Sequence, residues 1–408
     1  MKHVIIGNGI AGISAAETLR ELDPRAPITI VGAEEHLPYS RPMISLVLSG
    51  EMRFDEIAIR PADFYSRFQL EPVIGERVVS LDVAKREIHT DKGKAIAFDR
   101  LLIASGATPK PVNTPGVDLE NVFYMRTQSD VASILRALPR AKSAVILGGG
   151  LVAYKAAYGL LHRGVKTTMV VRSAHPLSMV VDPFAGQRIL ETLQQNGIDV
   201  RVRCDVEAFD GNGQVNEASL TDGSRIQCDL AIVAKGVQPS LSFLSSSDIR
   251  INQGIVVDEH LETTVPGIFA AGDVAEAMDV ARQKPAVNAI WPVAVEQGRI
   301  AAMNMAGREV IYKGSIARNV MRVFDVDVLT GGLVNVGSEE YEVVVRQDWR
   351  RRSYHKIVFR GDVLVGLVMV NAVEQGGLLL SLIQHQAPVR VPKELLLEPS
   401  FNIGQLLL

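Results

Sequence analysis

Two glycine-rich stretches, GNGIAG at Gly7–Gly12 and GGGLVA at Gly148–Ala153, have the residue types and spacing most able to do chemistry. Each follows an apolar run and opens a helix-like stretch. Glycines placed this way let the backbone come close to a ligand while the first N–H groups of the helix point at it. The ligand suited to that arrangement is a pyrophosphate, so one chain with two such turns is expected to hold two dinucleotides. At the first turn, Gly7, Gly9 and Gly12 set the spacing, Ile10 and Ala11 lie between them, and a helix is expected from Ile13. A second strand, ITIVGAEE, ends in Glu34 and Glu35, where an acid would hold an adenosine ribose. The second turn places Gly148 and Gly150 before Leu151 and Val152.

These residues need a scaffold, and the bulk properties bound it. A chain of 408 residues is too long for one ordinary core and suggests two or three domains. At 47% hydrophobic and 22% charged it has the composition of a soluble globular protein. A formal charge of −3 gives nucleic-acid binding no electrostatic footing. No apolar run reaches the length of a membrane span, and LVGLVMVNAV at 364–373 is short enough to be a core strand. The N-terminus runs directly into HVIIG without a signal-peptide pattern, so the cytoplasm is the expected compartment. The two cysteines, Cys204 and Cys228, lack the spacing of a redox-active disulfide or a zinc site and are expected to be small buried side chains. No metal site is expected.

Residues 1 to about 110 alternate short apolar strands with helical stretches, then pass through a strand meander (with a turn at Asp91–Gly93) into the buried strand LLIAS. Pro109, Pro111, Pro115 and Gly116 break the chain, and from about 112 to 235 the strand–turn–helix pattern begins again with AVILGGG. From about Tyr312 the runs EYEVVVR, YHKIVFR and DVLVGLVMV lead to a helical tail. The expected architecture is α/β, with two doubly wound, Rossmann-like nucleotide-binding domains and a smaller C-terminal α+β domain.

GIFAAGDVAE at 267–276 adds a strand ending in Gly272–Asp273. A carboxylate there can accept a hydrogen bond from a polyol hydroxyl; the alternative is an Asp that caps a helix from Val274. With this motif the order GNGIAG, LLIASGATP, GGGLVA, LAIVAKGVQP and GIFAAGD resembles the FAD-dependent pyridine nucleotide–disulfide oxidoreductase superfamily over nearly the whole chain. PYSRP at 38–42 and WPVAVEQGRIAAMNMAG at 291–307 narrow the resemblance to its ferredoxin, rubredoxin and nitrite reductase flavoproteins.

The resemblance implies that residues 1–110 and 236–310 bind FAD, 111–235 present NADPH or NADH, and 311–408 cover the flavin and form dimer or partner contacts. It further implies that Gly7, Gly9 and Gly12 hug the FAD pyrophosphate and that Glu34 or Glu35 takes the ribose. Arg41, beside Pro42, would neutralise phosphate, with an exposed charge as the alternative. Ala104, Ser105 and Gly106 would line the adenine side and Asp273 would hold the ribityl chain. Trp291, Pro292 and Ala294 would border the isoalloxazine, with core filler as the alternative for Trp291. Two departures matter. SRPMISLVL lacks the cysteines that disulfide reductases carry there, so electrons are expected to leave through an external acceptor. Leu46 stands where relatives place a lysine beside the flavin, so a lysine or backbone group elsewhere would have to polarise the ring.

At the second turn Tyr154–Lys155 follow where a relative using NADH has Glu, and TTMVV ends in Arg172, with His175 three residues on. Forked guanidinium donors suit the 2′-phosphate of NADPH. The alternatives are a solvent-facing Lys155 with Arg172 paired to an acid such as Asp182 (NADH being held atypically), or a site that has lost nicotinamide binding. The leading expectation is an enzyme passing electrons between NAD(P)H and a small iron–sulfur carrier, ferredoxin- or rubredoxin-like. Flavin-centred chemistry requires no catalytic side chain. Arg346, Arg350, Arg351, Arg352 and Lys356 would steer an acidic partner or form a solvated hairpin face. The other readings are an NADH oxidase using oxygen or small acceptors, and an FAD-binding, non-catalytic subunit of a redox complex.

Overall fold

The structure is a computed structural model that describes residues 1–405 except Ser246, Ser338, Arg351 and Ile403. Its contacts divide the chain into two compact units. One comprises Met1–Ser40, Ile57–Thr108 and Gln238–Ala317; the other comprises Arg41–Glu56, Pro109–Val237 and Arg318–Leu408.

The first unit is built on a five-stranded parallel sheet in the order Ile268–Ala270, Arg100–Ile103, His3–Ile6, Ile28–Gly32, Glu71–Ile74. One face of this sheet packs on the helices Ile10–Leu22 and Trp291–Met305 and the other on the antiparallel strands Val78–Asp82, Glu87–Thr90 and Ala95–Ala97, so HVII and ITIVG carry no alternation and no exposed residue. The first helix, Ile10–Leu22, begins three residues before the expected Ile13. It packs on Trp291–Met305 through Gly298, where a Cβ would lie 2.3 Å from the Ala11 carbonyl oxygen. The meander of Val78–Asp82, Glu87–Thr90 and Ala95–Ala97 is a small antiparallel sheet. After Asp273 the chain makes a turn and enters a strand, Ala275–Asp279, instead of the helix considered from Val274. Ile255–Val256 pairs with that strand in parallel, and the pairing holds the segment extended.

The second unit repeats the plan. Its parallel sheet runs Asp199–Val202, Lys166–Val171, Ser143–Leu147, Leu230–Val233, Val122–Tyr124. The central strand again feeds a glycine turn and a helix, Leu151–His162. The C-terminal part is a five-stranded antiparallel sheet, Arg318–Val323, Val326–Gly332, Val363–Val370, Ser353–Arg360, Tyr341–Asp348, with the helix Gly376–His385 packed on it. The fold is therefore α/β with two Rossmann-like parallel sheets and a C-terminal α+β part; an antiparallel sheet, Val78–Asp82 with its neighbours in the first unit and Val206–Asn212 with its neighbours in the second, covers one face where a fully doubly wound sheet would carry helices.

A buried polar cluster ties this last sheet into the second unit. Asp182 caps the helix Pro183–Gln195 by accepting the Ala185 N–H at 3.1 Å. It also accepts the Tyr354 hydroxyl and pairs with Lys356 Nζ at 3.3 Å. Lys356 is thus committed inside the unit and does not belong to an exposed basic face. Arg346 pairs with Glu398 at 2.6 Å, and Arg351 lies outside the described residues. Burial, reinforced by the Asp182 carboxylate, pushes the Tyr354 phenol far up. A raised phenol contributes stability that is fully present below the unfolded value of about 10 and is lost as pH climbs past it. Tyr354→Phe should therefore cost about 1.5–3 kcal/mol in urea unfolding at neutral pH, with the deficit shrinking above about pH 10.

Candidate functional site

At the first turn the geometry explains each glycine by a different contact. Gly7 has φ +119°, and a Cβ on it would lie 2.0 Å from the Ala104 carbonyl oxygen. Gly12 is equally pressed, since its Cβ would meet the Gly7 carbonyl at 1.9 Å. Gly9 has nothing within 4 Å of that position and no side chain caps the helix it begins. The turn thus packs tightly against its own sheet on one side and leaves an open cradle at the helix start on the other. A phosphate group fits such a cradle, because among the described residues nothing lies within 4 Å of a Cβ on Gly9 and the first N–H groups of a helix attract an anion.

Of the other expected residues, Ala104, Gly272 and Ala294 lie against this turn, and the rest have surroundings of their own. A Cβ on Gly272 would lie 3.2 Å from the Ala11 side chain and 3.5 Å from that of Ala294, so the Gly272–Asp273 turn and the start of the helix Trp291–Met305 meet the first turn. Asp273 and Trp291 are half-buried and Pro292 is exposed. Glu34 is half-buried and accepts the Tyr39 hydroxyl at 2.6 Å, whereas Glu35 is exposed beside Gly75. Ser105 and Gly106 are tied to Ser240: the Ser105 hydroxyl donates to its carbonyl at 2.9 Å, and its N–H donates to Gly106. Arg41 falls in the second unit, where its Nη1 donates to the Arg126 carbonyl at 2.8 Å.

Gln297 is a positioning residue that sequence reasoning missed. Only 2% exposed, it accepts the Gly272 N–H at 2.8 Å and reaches the Tyr312 hydroxyl at 3.3 Å. Its signal lay in WPVAVEQGR, one helical turn beyond the residues singled out there. Tyr39, within PYSRP, orients Glu34 in the same supporting way.

The second turn copies the first atom by atom. Gly148 has φ +142°, with the Ala234 carbonyl oxygen 2.3 Å from the position of a Cβ. Its N–H donates to Val170 as that of Gly7 does to Val31, at 3.0 and 2.8 Å. Gly150, like Gly9, is an uncapped helix start with open space beside it. Leu151 and Val152 are half-buried in the first turn of that helix, and Ala153, where the first copy has Gly12, is fully buried.

The two cations of this half have different surroundings. Arg172 is exposed at the end of the strand Lys166–Val171, and the acid weighed as its partner, Asp182, is already committed to Tyr354 and Lys356. His175 is buried, its Nδ1 lying 2.9 Å from the Pro176 carbonyl oxygen and its ring pressed on Gly186. Lys155 turns elsewhere and donates to the Pro42 carbonyl at 3.1 Å. It shares a cavity of about 750 Å³ with Leu46, Tyr154, Tyr158 and Phe324, and burial there lowers its ammonium pKa. A lysine is therefore present in the cavity that Leu46 lines, though not at position 46. Among the described residues no His, Cys, Asp and Glu cluster is placed to hold a metal ion, and no helix is long and apolar enough to cross a membrane.

Neither cysteine is available for electron relay. Cys228 is 2% exposed and burial pushes its thiol up to about 12; burial also raises the thiol of Cys204, 4% exposed. Two outcomes follow from these contacts. Alkylation of the native chain at neutral pH should leave both thiols intact, with both reacting after unfolding. Gly12→Ala should lose about 1–3 kcal/mol of stability to overpacking, read as a lower midpoint in urea unfolding.

Comparison with known proteins places this geometry among redox proteins. Residues 1–298 match the family model described as pyridine nucleotide-disulphide oxidoreductase, and residues 318–387 match rubredoxin NAD+ reductase C-terminal domain. The chain is 30% identical to nitrite reductase [NAD(P)H] of Bacillus subtilis (strain 168) over 95% of its own length. It spans about half of that relative, 47%. It is 31% identical to NADH-dependent phenylglyoxylate dehydrogenase subunit epsilon of Aromatoleum evansii, covering 94% of this chain and 91% of the relative. Among solved structures, putidaredoxin reductase in its covalent complex with putidaredoxin superposes with a TM-score of 0.90 at 25% identity, over 100% of this chain and 98% of that one.

Proposed function

The chain belongs to the pyridine nucleotide-disulphide oxidoreductase family, and on that premise we propose that it is an FAD-dependent enzyme moving electrons between a nicotinamide nucleotide and a small iron–sulfur protein. The observation that carries this reading is the pair of matched turns, each with an open cradle at Gly9 or Gly150, in a chain whose cysteines are both buried. Residues 1–110 and 236–310 take FAD, 111–235 take NADPH or NADH, and 311–408 serve the partner. Hydride acceptance from a nicotinamide and release of single electrons are the chemistry a bound flavin supplies.

The residues then have definite tasks. Gly7, Gly9 and Gly12 let the first helix present its N–H groups to the FAD pyrophosphate, and Glu34, oriented by Tyr39, takes the ribose. Asp273 holds a ribityl hydroxyl from a turn that Gln297 fixes. Gly148, Gly150, Leu151 and Val152 give the nicotinamide nucleotide the same backbone cradle. The match to a dehydrogenase subunit over most of both chains favours delivery of electrons within a larger redox assembly over release to oxygen.

Anaerobic addition of NADPH or NADH should bleach the visible flavin bands, and the reduced protein should then reduce a ferredoxin or rubredoxin. Failure of both nucleotides to bleach a flavin that dithionite does reduce would defeat the reading, and rapid oxygen uptake without a carrier would replace it with an oxidase. Asp273→Ala should weaken FAD binding about tenfold, the loss expected of one charge-assisted hydrogen bond.

A further inference from the structure

Val171 and Val202 are paired residues at the ends of adjacent parallel strands, so Arg172 and Arg203 emerge side by side at the carboxyl edge of the second sheet. Neighbouring strands stand about 4.8 Å apart, well within the reach of two guanidiniums to a common ligand. The Arg203 N–H donates to the Ser173 carbonyl at 3.1 Å, closing the two strand ends on each other. The loop that follows Arg172 is in turn drawn back to the glycine turn, since the Leu177 N–H donates to Gly149 at 2.7 Å.

The charges on this edge are unequally committed. Arg201 pairs with Asp199 at 3.0 Å and Lys235 with Asp205 at 2.6 Å. Arg172 and Arg203 are exposed, and among the described residues neither makes a side-chain hydrogen bond or ion pair. Arg203 also sits at φ +60°, a left-handed conformation that a long side chain adopts rarely. The segment Arg172–His175 offers no carboxylate to a ribose diol.

We propose that Arg172 and Arg203 form a two-guanidinium clamp for a phosphomonoester, the 2′-phosphate of a nicotinamide nucleotide, and that Arg203 is a specificity-determining residue of that clamp. The proposal rests on the reading of the Gly148–Val152 turn as a nicotinamide-nucleotide site. Two forked donors against a dianion supply several charge-assisted hydrogen bonds where a diol would find no acceptor.

Calorimetric titration of the FAD-loaded chain with 2′,5′-ADP and with 5′-AMP tests the clamp. The wild type should bind 2′,5′-ADP more tightly. Arg203→Gly, which relieves the left-handed strain and so preserves the fold, should weaken 2′,5′-ADP about tenfold and leave 5′-AMP unchanged. Arg172→Ala should act the same way, and the double variant should abolish the preference. Equal binding of the two nucleotides by the wild type, or a loss in Arg203→Gly that falls equally on both, overturns the clamp. If NADH still bleaches the flavin in that case, the turn remains a nicotinamide site and only the clamp is wrong. If neither nucleotide binds and no nicotinamide bleaches the flavin, the reading of the turn falls and takes the clamp with it.

Discussion

The constraint on which the two nucleotide-type sheets depend is the absence of a side chain where a neighbouring strand's carbonyl must pass. The Ala104 carbonyl occupies the place of a Gly7 Cβ, and the Ala234 carbonyl that of a Gly148 Cβ. Both contacts follow from one hydrogen-bond pattern. Ala104 donates to Ile6 at 2.7 Å and Ala234 to Leu147 at 2.8 Å, which brings the end of the neighbouring strand, Arg100–Ile103 or Leu230–Val233, hard against the turn. Once the turn is pinned there, the next helix can start only at Ile10 or Leu151, and its first N–H groups open onto free space beside Gly9 or Gly150. The cradle for a phosphate is a by-product of close sheet packing, needing no charged side chain of its own.

What differs between the halves is built around that common turn. In the first, neutral contacts do the positioning: Gly298 lets two helices meet at Ala11, and Gln297 reaches from one of them to fix Gly272. In the second, Ala153 replaces the third glycine, and ionic groups do more of the work. Asp182, buried at a helix start, gathers Tyr354 and Lys356 and so joins the antiparallel sheet to the same unit. Pairing of Arg201 and Lys235 with acids leaves Arg172 and Arg203 as the uncommitted cations at the sheet edge. Both thiols are buried, so neither cysteine is exposed as a route for electrons.

The sequence was most informative where backbone freedom or burial leaves a residue signature. Glycine spacing located both turns, and unbroken apolar runs such as HVII and LAIV located strands buried on both faces. It was misleading where one local pattern serves two structures. Asp273 before VAE reads as a helix cap, yet a parallel pairing with Ile255–Val256 draws the segment into a strand. Lys155 and Arg172 read as one charge reversal because both stand where acids were expected, but they lie in separate surroundings, one over the Pro42 carbonyl and the other on an open edge. Lys356 reads as surface charge close to Arg350, Arg351 and Arg352, and only Asp182, at the start of the helix Pro183–Gln195, reveals it as half-buried and paired. Arg203 was out of reach for a related reason: its place beside Arg172 comes from strand order and its backbone handedness, neither of which is written in residue spacing.

The central claim is that the chain carries two separate dinucleotide sites with different tenants. Equilibrium dialysis of the purified protein, with FAD and a non-reducing nicotinamide nucleotide present together, tests it most directly. The account predicts one FAD and one nicotinamide nucleotide bound per chain, with an excess of either failing to displace the other. Displacement of one by the other, or two equivalents of FAD in the absence of a nicotinamide nucleotide, would contradict it.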